Sequence, residues 1–399
     1  MTYKLAALTS HPIQYQTPLF RKLANHPDID LTVYFCWNFG IQKEQIDTEF
    51  GVKFKWDIPL LDGYKYKFLL NLSLKPSGSF FGCINPGIIR EIFKHKYDAI
   101  WVHGWSSFTN LLAVLSAKAF GSKVFLRGEN PFCHELTKPS WKRFIKKPLL
   151  QYGLFPFVDA FLYIGEENKA FYQYYRVPDK KLFFTPYCVD NKRFYGEYVK
   201  LREKKFELRK TLHLPHDKVI ILYVAKLIDK KRPFDLLYAY ETIPSDKKAL
   251  VFVGEGYLRK DMERYMQDKG LKDVHFTGFK NQSEVSLYYA IGDIFVLPSG
   301  IGETWGLVVN EAMNFRLPIV VSDMVGSNKN LVSQGGNGFV FPMGDITKLG
   351  GYLKILMENK DLRGDMGKNS LDLVKKYSYE QDIDGILTAL DHTKEAKSK

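Results

Sequence analysis

The chain has 399 residues, 45% of them hydrophobic, and exceeds the roughly 250 to 300 residues above which one core usually divides, so two domains are expected. Its 57 basic and 44 acidic side chains give a net charge of +13, which favours a polyanionic partner: a nucleic acid, an anionic bilayer or a phosphorylated small molecule. No apolar run approaches the roughly 18 to 20 residues of a spanning helix, and the N-terminal run of about five is too short for a signal peptide, which argues against an integral membrane protein.

The cysteines are far apart and show neither a CxxC pair nor Cys/His ligand spacing. They are Cys36, Cys83, Cys133 and Cys188. Free thiols in a reducing compartment are the simplest interpretation, so we expect a cytoplasmic protein.

Short β-branched or aromatic runs alternate with helical patterns in the first half of the chain, which is typical of parallel α/β layers. The predicted strands are 4–8, 31–35, 99–103, 123–127 and 160–164. Helices are predicted between them, for example at 87–95 and 108–119, where apolar residues recur three and four positions apart.

A charge-rich segment at 197–218 has no strand pattern and is followed by a second, more regular series. Its predicted strands are 219–224, 249–253, 273–277, 293–297 and 318–321, with helices beginning near 233, 256, 282 and 306. We therefore predict an α/β fold with two doubly wound, Rossmann-like domains at 1–196 and 197–377, and a helix at 378–399 that packs back on the first domain. Because parallel sheets bind ligands at the carboxyl ends of their strands, the site is expected in a cleft between the domains.

The segment 297–323 contains a strand end, a glycine-containing loop and a helix that begins near Trp305 or Gly306. A helix N-terminus presents free N–H groups and about half a positive charge, so this loop is suited to an anion such as a diphosphate. Thr304 is predicted to be the N-cap residue. An ordinary strand-to-helix turn is the alternative interpretation.

Two glutamates, Glu303 and Glu311, flank the start of this helix. Eight helical residues rise about 12 Å, whereas paired carboxylates of glycoside hydrolases lie roughly 5 to 9.5 Å apart, so a glycosidase pair is not assigned. Glu311 shares a helix face with Leu307 and Phe315, and a carboxylate on that apolar face needs hydrogen-bond partners, which two ribose hydroxyls would supply. The alternative is a solvent-facing glutamate that bridges to a lysine.

The sequence VAKLIDKKRPFDLL places a cluster of cations after the strand 219–224. These cations are Lys226, Lys230, Lys231 and Arg232. At the end of a strand they would neutralise a leaving diphosphate, although many basic clusters are only solvated surface. The nearby VGEGYLR lacks the third glycine of GxGxxG, so a nicotinamide or flavin cofactor is not supported.

On these residues, the second half of the chain resembles the donor domain of retaining GT-B glycosyltransferases of family 4. The matching segments are VAKLIDKKRP, VGEGYLR, FTGF at 276–279 and PSGIGETWGLVVNEAMNFRLPIVVSDMVGSNKNLV at 298–332, which contains the family's E-x7-E pattern. The resemblance implies that Glu303 contacts the transferred sugar and that Glu311 binds the ribose. It also implies that Lys226 and Arg232 neutralise the diphosphate, with Lys231 as a less favoured substitute.

The resemblance extends the donor-binding prediction to the glycine-rich loops. The further positions are Gly302, Thr304, Trp305, Gly306, Leu307, Gly254, Gly278 and Phe279. The nucleotide sugar is a substrate in such enzymes, so no cofactor is predicted.

The first half resembles the family more loosely, through SHPIQYQTPLF, LRGENPF, YIGEEN and PYCVD. Many members carry a histidine at the end of the strand that corresponds to 123–127, where this chain offers Glu129 as a catalytic candidate. We expect the acceptor near the loops 10–16 and 128–132. The predicted acceptor-side residues are His11, Gln14, His103 and Arg127.

Two DxD strings, Asp28-Ile-Asp30 and Asp382-Ile-Asp384, match the metal motif of the other glycosyltransferase architecture. The first precedes a predicted strand and the second lies in a helical segment, so neither has the strand-end context of that motif. No metal requirement is predicted.

The resemblance implies a retaining, hexosyltransferase-type enzyme that moves a sugar from a UDP- or GDP-sugar to a glycan or lipid-linked glycan, as in cell-surface polysaccharide assembly. The segment 138–158 mixes five cations with aromatic and aliphatic residues, which fits either a helix on an anionic bilayer at the inner membrane face or an amphipathic helix of the first domain. A GT-B-fold sugar-nucleotide epimerase and a non-catalytic sugar-nucleotide sensor are alternatives. A nucleic-acid partner is not expected, because no nucleic-acid-binding signature accompanies the charge.

Overall fold

Runs of β-branched and aromatic residues form the strands of the computed structural model, which describes residues 2–39, 45–46, 53–54 and 57–395. The strands are β1 (Tyr3–Thr9), β2 (Ile29–Phe35), β3 (Gln45–Ile46), β4 (Lys53–Phe54), β5 (Lys65–Phe68), β6 (Ala99–His103), β7 (Lys123–Arg127), β8 (Ala160–Tyr163), β9 (Leu182–Phe184), β10 (Val219–Val224), β11 (Lys248–Val253), β12 (Val274–Phe276), β13 (Ile294–Leu297), β14 (Ile319–Ser322) and β15 (Gly338–Phe341). The helices are α1 (Thr17–Ala24), α2 (Gly87–His95), α3 (Phe108–Ala119), α4 (Phe132–Leu136), α5 (Ser140–Pro148), α6 (Glu166–Tyr174), α7 (Asn191–Leu201), α8 (Lys205–Thr211), α9 (Pro233–Glu241), α10 (Arg259–Asp268), α11 (Val285–Ile291), α12 (Leu307–Asn314), α13 (Asn328–Leu331), α14 (Ile346–Glu358), α15 (Lys360–Val374) and α16 (Tyr379–Glu395). A π-helical segment, Leu149–Leu154, directly follows α5.

The described residues divide into two compact units. One holds those within Met1–Glu44, Ile58–Tyr187 and Tyr379–Lys399, and the other holds those within Gln45–Asp57 and Cys188–Ser378. The second unit therefore begins at Cys188 rather than at the predicted 197. The difference arises from α7, which packs on α11 and α12 and buries Phe194 against Tyr289 and Phe315.

The first unit contains a seven-stranded parallel sheet with the order β5-β2-β1-β6-β7-β8-β9. The winding direction reverses between β1 and β6, and open α/β sheets bind ligands at such a switch point. Strand β1 is buried on both faces, which explains its continuous apolar run. Two strands escaped prediction, because β5 is the charged, mostly exposed KYKF and β9 has only three residues.

The second unit contains a six-stranded parallel sheet with the order β12-β11-β10-β13-β14-β15. Its switch point lies between β10 and β13. Strand β15 was not predicted, because it opens with Gly338, and glycine weakens a strand pattern. A Cβ at Gly338 would lie 1.8 Å from the carbonyl oxygen of Ile319, so glycine permits the close pairing of β14 and β15.

The last helix, α16, belongs to the first unit and packs against β8, β9 and α1. Its face toward these elements is apolar and includes the buried Ile386, Ala389 and Leu390. Residues 396–399 of the lysine-rich end lie outside the described part of the chain. Among the helices of the described part, none combines the length and the apolar character that crossing a bilayer requires.

Candidate functional site

The loop after β13 turns sharply into α12 at the carboxyl edge of the second sheet. Gly306 occupies the N-cap position with a left-handed φ of 89°. A Cβ there would lie 3.0 Å from Leu297 Cδ2 and 3.2 Å from Val325 Cγ1, so the backbone and the packing both require glycine. The prediction of Thr304 as N-cap is therefore wrong, and the helix begins at Leu307.

The first turn of α12 offers backbone donors to an anion. Among the described residues, no side chain caps this end of the helix, and the first turn carries no acidic residue. The indole of Trp305 is buried behind the loop, where Nε1 donates a 2.9 Å hydrogen bond to Asn310 Oδ1. Trp305 thus supports the loop from within the unit.

Glu303 is buried in this loop, with only 7% of its surface exposed. Its Oε2 accepts hydrogen bonds from Lys231 Nζ and, at 2.9 Å, from Ser299 Oγ. Burial raises the pKa of Glu303, but the charge and hydrogen bond of Lys231, aided by Lys230 and Ser299, outweigh it and lower the pKa below its usual value. The side chain is therefore an ionised carboxylate at neutral pH.

The turn of the basic cluster lies directly against the loop that carries Glu303. The N–H of Gly300 donates a 2.8 Å hydrogen bond to the carbonyl of Lys230, and a Cβ at Gly302 would lie 3.2 Å from Lys230 Cε. Arg232 also lies beside this loop, but its guanidinium forms a bidentate pair with Asp235 at 2.6 and 3.0 Å. The structure thus brings Lys231 rather than Arg232 into contact with Glu303, a pairing that spacing alone did not indicate.

The other predicted donor positions lie at the same edge of the sheet, where β10, β11 and β12 end. The N–H of Gly254 donates a 3.0 Å hydrogen bond to the carbonyl of Gly278, which joins the VGEGYLR and FTGF loops. Phe279 directly follows this contact. The side chain of Lys226 is half-buried at the end of β10, and its contact with a diphosphate stays a prediction.

Glu311 points into the second unit from α12 and is 8% exposed. Its Oε2 accepts a 2.7 Å hydrogen bond from the hydroxyl of Tyr289, which is itself fully buried and stacked on Phe315. Burial raises the pKa of Glu311, against the opposing effects of Tyr289, Arg193 and Gln282. Sequence reasoning missed Tyr289, because no motif marks it.

Two histidines of the first unit lie at the carboxyl edge of its sheet. His103 ends β6, and its ring lies 4.5 Å from the ring of Trp101, with Nδ1 3.3 Å from Gln16 Nε2. Burial, with the nearby guanidinium of Arg127, lowers the pKa of His103 well below its usual range. Burial likewise lowers the pKa of His11 to about 4, so both rings are neutral at pH 7.

Gln14 belongs to the same loop as His11 and is half-buried. Its predicted contact with an acceptor stays a prediction.

Arg127, predicted on the acceptor side, is instead held inside the first unit. Its side chain is 1% exposed, and Nη2 donates hydrogen bonds of 2.7 Å to Asp382 Oδ2 and 2.5 Å to the carbonyl of Thr185. The neighbouring Glu129 accepts a hydrogen bond from the hydroxyl of Tyr187. Burial and this ion pair give Arg127 a structural role, whereas Glu129 is half-buried and stays a candidate.

One carboxylate of each DxD string is engaged elsewhere. Asp30 pairs with Lys65 at 2.7 Å, and Asp382 pairs with Arg127. In the described part of the chain, no group of three or more His, Cys, Asp or Glu side chains is arranged to hold a metal ion.

Comparison with known proteins identifies relatives of part of the chain. Residues 204–372 match the family model of glycosyl transferases group 1. Alpha-D-kanosaminyltransferase of Streptomyces kanamyceticus is 31% identical over 179 residues, which cover 44% of this chain and 46% of that protein. Alpha-monoglucosyldiacylglycerol synthase of Acholeplasma laidlawii is 28% identical over 210 residues, which cover 51% of this chain and 50% of that protein. The chain thus spans about half the length of these curated relatives.

Likeness to solved structures extends over nearly the whole chain. The Anabaena protein Alr3699/HepE, in complex with UDP and glucose, matches with a TM-score of 0.72 at 14% identity, over 98% of this chain and 99% of that one. At this identity the match shows the fold alone. It confirms the predicted fold class, α/β with two Rossmann-like parallel-sheet domains as in GT-B proteins.

Proposed function

We propose that this chain, whose residues 204–372 belong to the glycosyl transferases group 1 family, transfers a sugar from a UDP- or GDP-sugar to a glycan or lipid-linked glycan and retains the anomeric configuration. The observation that carries the proposal is the buried ion pair of Lys231 and Glu303 beside the glycine-capped start of α12. A carboxylate, a cation and free backbone donors at one strand end fit a sugar diphosphate. The UDP bound by the structurally similar Anabaena protein supports a donor of this class.

In the proposed complex, the diphosphate lies at the N-terminus of α12. The backbone donors of this turn and the cations Lys226, Lys231 and Arg232 would stabilise the charge that develops on the leaving group. Because Lys231 contacts Glu303 while Arg232 is shared with Asp235, we assign Lys231 the larger role. This reverses the order that the sequence suggested.

Glu303 and Glu311 would hold different parts of the donor. Glu303 is ionised, so it accepts hydrogen bonds from hydroxyls of the transferred sugar. Glu311 is fixed by Tyr289 on the inward face of α12, where ribose hydroxyls would supply further partners for a buried carboxylate. The protein's contribution in this proposal is chiefly position and charge.

Retention would follow from attack on the same face as the leaving group, as in the family that the chain resembles. The acceptor oxygen forms its bond to the anomeric carbon while the bond to the diphosphate breaks, and the acceptor proton passes to the leaving phosphate oxygen. The step requires neither a metal ion nor a cofactor.

The test is nucleoside diphosphate release from a panel of UDP- and GDP-sugars, with and without acceptor extract. Lys231→Ala and Glu303→Gln should each lower the release rate by about 10²- to 10³-fold, the usual cost of removing one charge-stabilising group. Lys354→Ala and Glu358→Gln are matched controls, because this pair is exposed on α14 with its charged atoms 4.0 Å apart. Site variants that turn over donor at the control rate would contradict the assignment, and release of an epimerised donor without acceptor would favour the epimerase.

We also propose that the enzyme acts at the cytoplasmic face of a membrane, in peripheral contact through α5. The helix packs on its own unit through half-buried cations such as Lys146, which binds Glu135, whereas its apolar side chains face away from the unit and are exposed. Trp141, Phe144 and Ile145 are 60%, 80% and 52% exposed, and Lys142 and Arg143 lie between them in sequence. Exposed aromatic residues interleaved with cations fit an anionic bilayer surface.

Not every cation of the segment is available to lipid. Lys138 and Lys146 both bind the buried Glu135, each at 2.8 Å. The native chain should sediment with phosphatidylglycerol vesicles at low salt and less at high salt, and Lys142→Glu should weaken that binding. Absence of binding at low salt would contradict membrane contact without affecting the donor-turnover result.

A further inference from the structure

The first unit contains a cavity of about 160 Å³ that none of the proposed donor or acceptor residues lines. It lies between α3 and the π-helical segment after α5. Its lining includes Phe80, Trp105, Val114, Leu149, Gly153 and Leu154. An apolar cavity of about 150 Å³ is large enough to bind a benzene-sized hydrocarbon.

The chemistry of the lining selects an apolar ligand. The polar side chain that lines the cavity, Asn110, uses Nδ2 in hydrogen bonds of 2.9 and 3.1 Å to the carbonyls of His103 and Gly104. The remaining lining is aromatic, aliphatic or glycine. A charged or strongly polar ligand would lose its hydration here without gaining equivalent partners.

The cavity opens to solvent at residues that are continuous with the α5 surface. Leu149 lines the cavity yet is 64% exposed, and Phe80, which also lines it, is 40% exposed. Trp141, Ile145 and Leu149 are spaced four residues apart, so they form one apolar stripe that leads from α5 to the opening. The exposed Lys142 accompanies this stripe, with Nζ 5.4 Å from the centre of the Trp141 ring.

We infer that this cavity takes up part of an acyl chain of an anionic membrane phospholipid, with the headgroup held by the exposed Lys142 of α5. The inference rests on the proposed membrane contact and deepens it: the stripe reaches the bilayer, and the cavity receives one chain from it. A chain anchored in this way would hold the first unit at the surface that carries a lipid-linked acceptor.

Trp105 lines the cavity and serves as a built-in reporter. Tryptophan fluorescence is read in the full chain carrying Trp141→Phe, which removes the exposed tryptophan of α5 and leaves five tryptophans, Trp105 among them. The probes are phosphatidylglycerol vesicles with brominated or unbrominated acyl chains. Brominated acyl chains should quench this fluorescence more than unbrominated chains do. The share of the quenching that comes from Trp105 should disappear with the further change Trp105→Phe.

Filling the cavity separates chain uptake from surface contact. Gly153→Leu places a side chain at the cavity wall, and a Cβ there meets no atom within 4 Å, so the fold should tolerate it. Gly87→Leu is the matched control, because its Cβ is equally free and Gly87 does not line the cavity. Gly153→Leu should sediment with vesicles like the control but lose most of the quenching of Trp105. If Gly153→Leu does not fold, Val114→Phe takes its place as the cavity-filling variant.

Equal quenching in the Gly153 and Gly87 variants would overturn the inference, since Trp105 would then report surface contact only. Failure of the native chain to bind vesicles would overturn it together with the membrane proposal. Donor turnover, measured without vesicles, tests the glycosyltransferase proposal independently of both.

Discussion

The buried ion pair of Arg127 and Asp382 offers a sharp test of what holds α16 in the first unit. The two side chains are 1% and 2% exposed, and their charged atoms lie 2.7 Å apart. Asp382→Ala would leave the guanidinium buried without its counter-charge, a change that typically costs about 3 to 5 kcal/mol. We expect the lower end, about 3 kcal/mol, because Arg127 keeps the carbonyl of Thr185 and the ring faces of Trp101 and Tyr187.

For a unit of this size, that loss corresponds to a fall of about 6 to 12 °C in melting temperature. Calorimetry of the full chain measures it. Asp384→Ala is the matched control, because it removes an exposed carboxylate from the same helix two residues away. A shift for Asp382→Ala no larger than the control would refute the reasoning. Replacing both partners, as Arg127→Met with Asp382→Leu, should recover much of the loss, because no uncompensated charge remains.

Three further predictions concern substitutions of single residues. Gly306→Ala should destabilise the second unit by at least about 1 to 2 kcal/mol in urea unfolding, because the left-handed backbone disfavours a Cβ that also meets Leu297; an unchanged midpoint would contradict this. Tyr289→Phe should cost about 1 to 3 kcal/mol of stability and weaken UDP binding in calorimetric titration, because buried Glu311 loses its partner; unaltered stability would show that the bond is dispensable. Burial lowers the pKa of folded His11 to about 4, against 6.5 for an unperturbed histidine, so the unfolded chain binds the proton more readily and the protein should lose stability as pH falls from 6.5 to 4. Urea unfolding of His11→Gln should therefore show a flatter dependence of stability on pH than the native chain. Parallel profiles would exclude His11 as the origin of the effect.

The sheets were largely predictable from sequence because their strands are buried on both faces. Strands β6, β7 and β10 have the predicted bounds, since continuous apolar runs stop where charge or glycine begins. The missed strands lack such runs: β3 and β4 have two residues each, β5 is charged and exposed, β9 has three residues, and β15 begins with glycine. Their pairing is decided by neighbouring strands, which a local pattern does not encode.

The candidate site was predictable where its residues are close in sequence. The loop and the two glutamates of 297–311 were predicted from the local sequence. The N-cap prediction of Thr304 was wrong, because the left-handed backbone and the close packing at Gly306, rather than the capping preference of threonine, fix where the helix begins. The partners of the charged groups come from distant positions, such as Lys231 for Glu303. No spacing rule identifies them, because the fold alone brings them together.

The return of α16 to the first unit has a consequence for biosynthesis. About 190 residues, Cys188 to Ser378, separate the two parts of that unit along the chain. At roughly 5 to 20 residues per second, the ribosome needs about 10 to 40 s to translate this stretch, and domains generally fold as units as they emerge. The second unit therefore emerges while the nascent first unit still lacks its last helix, and Arg127 acquires its counter-ion only after that helix is made.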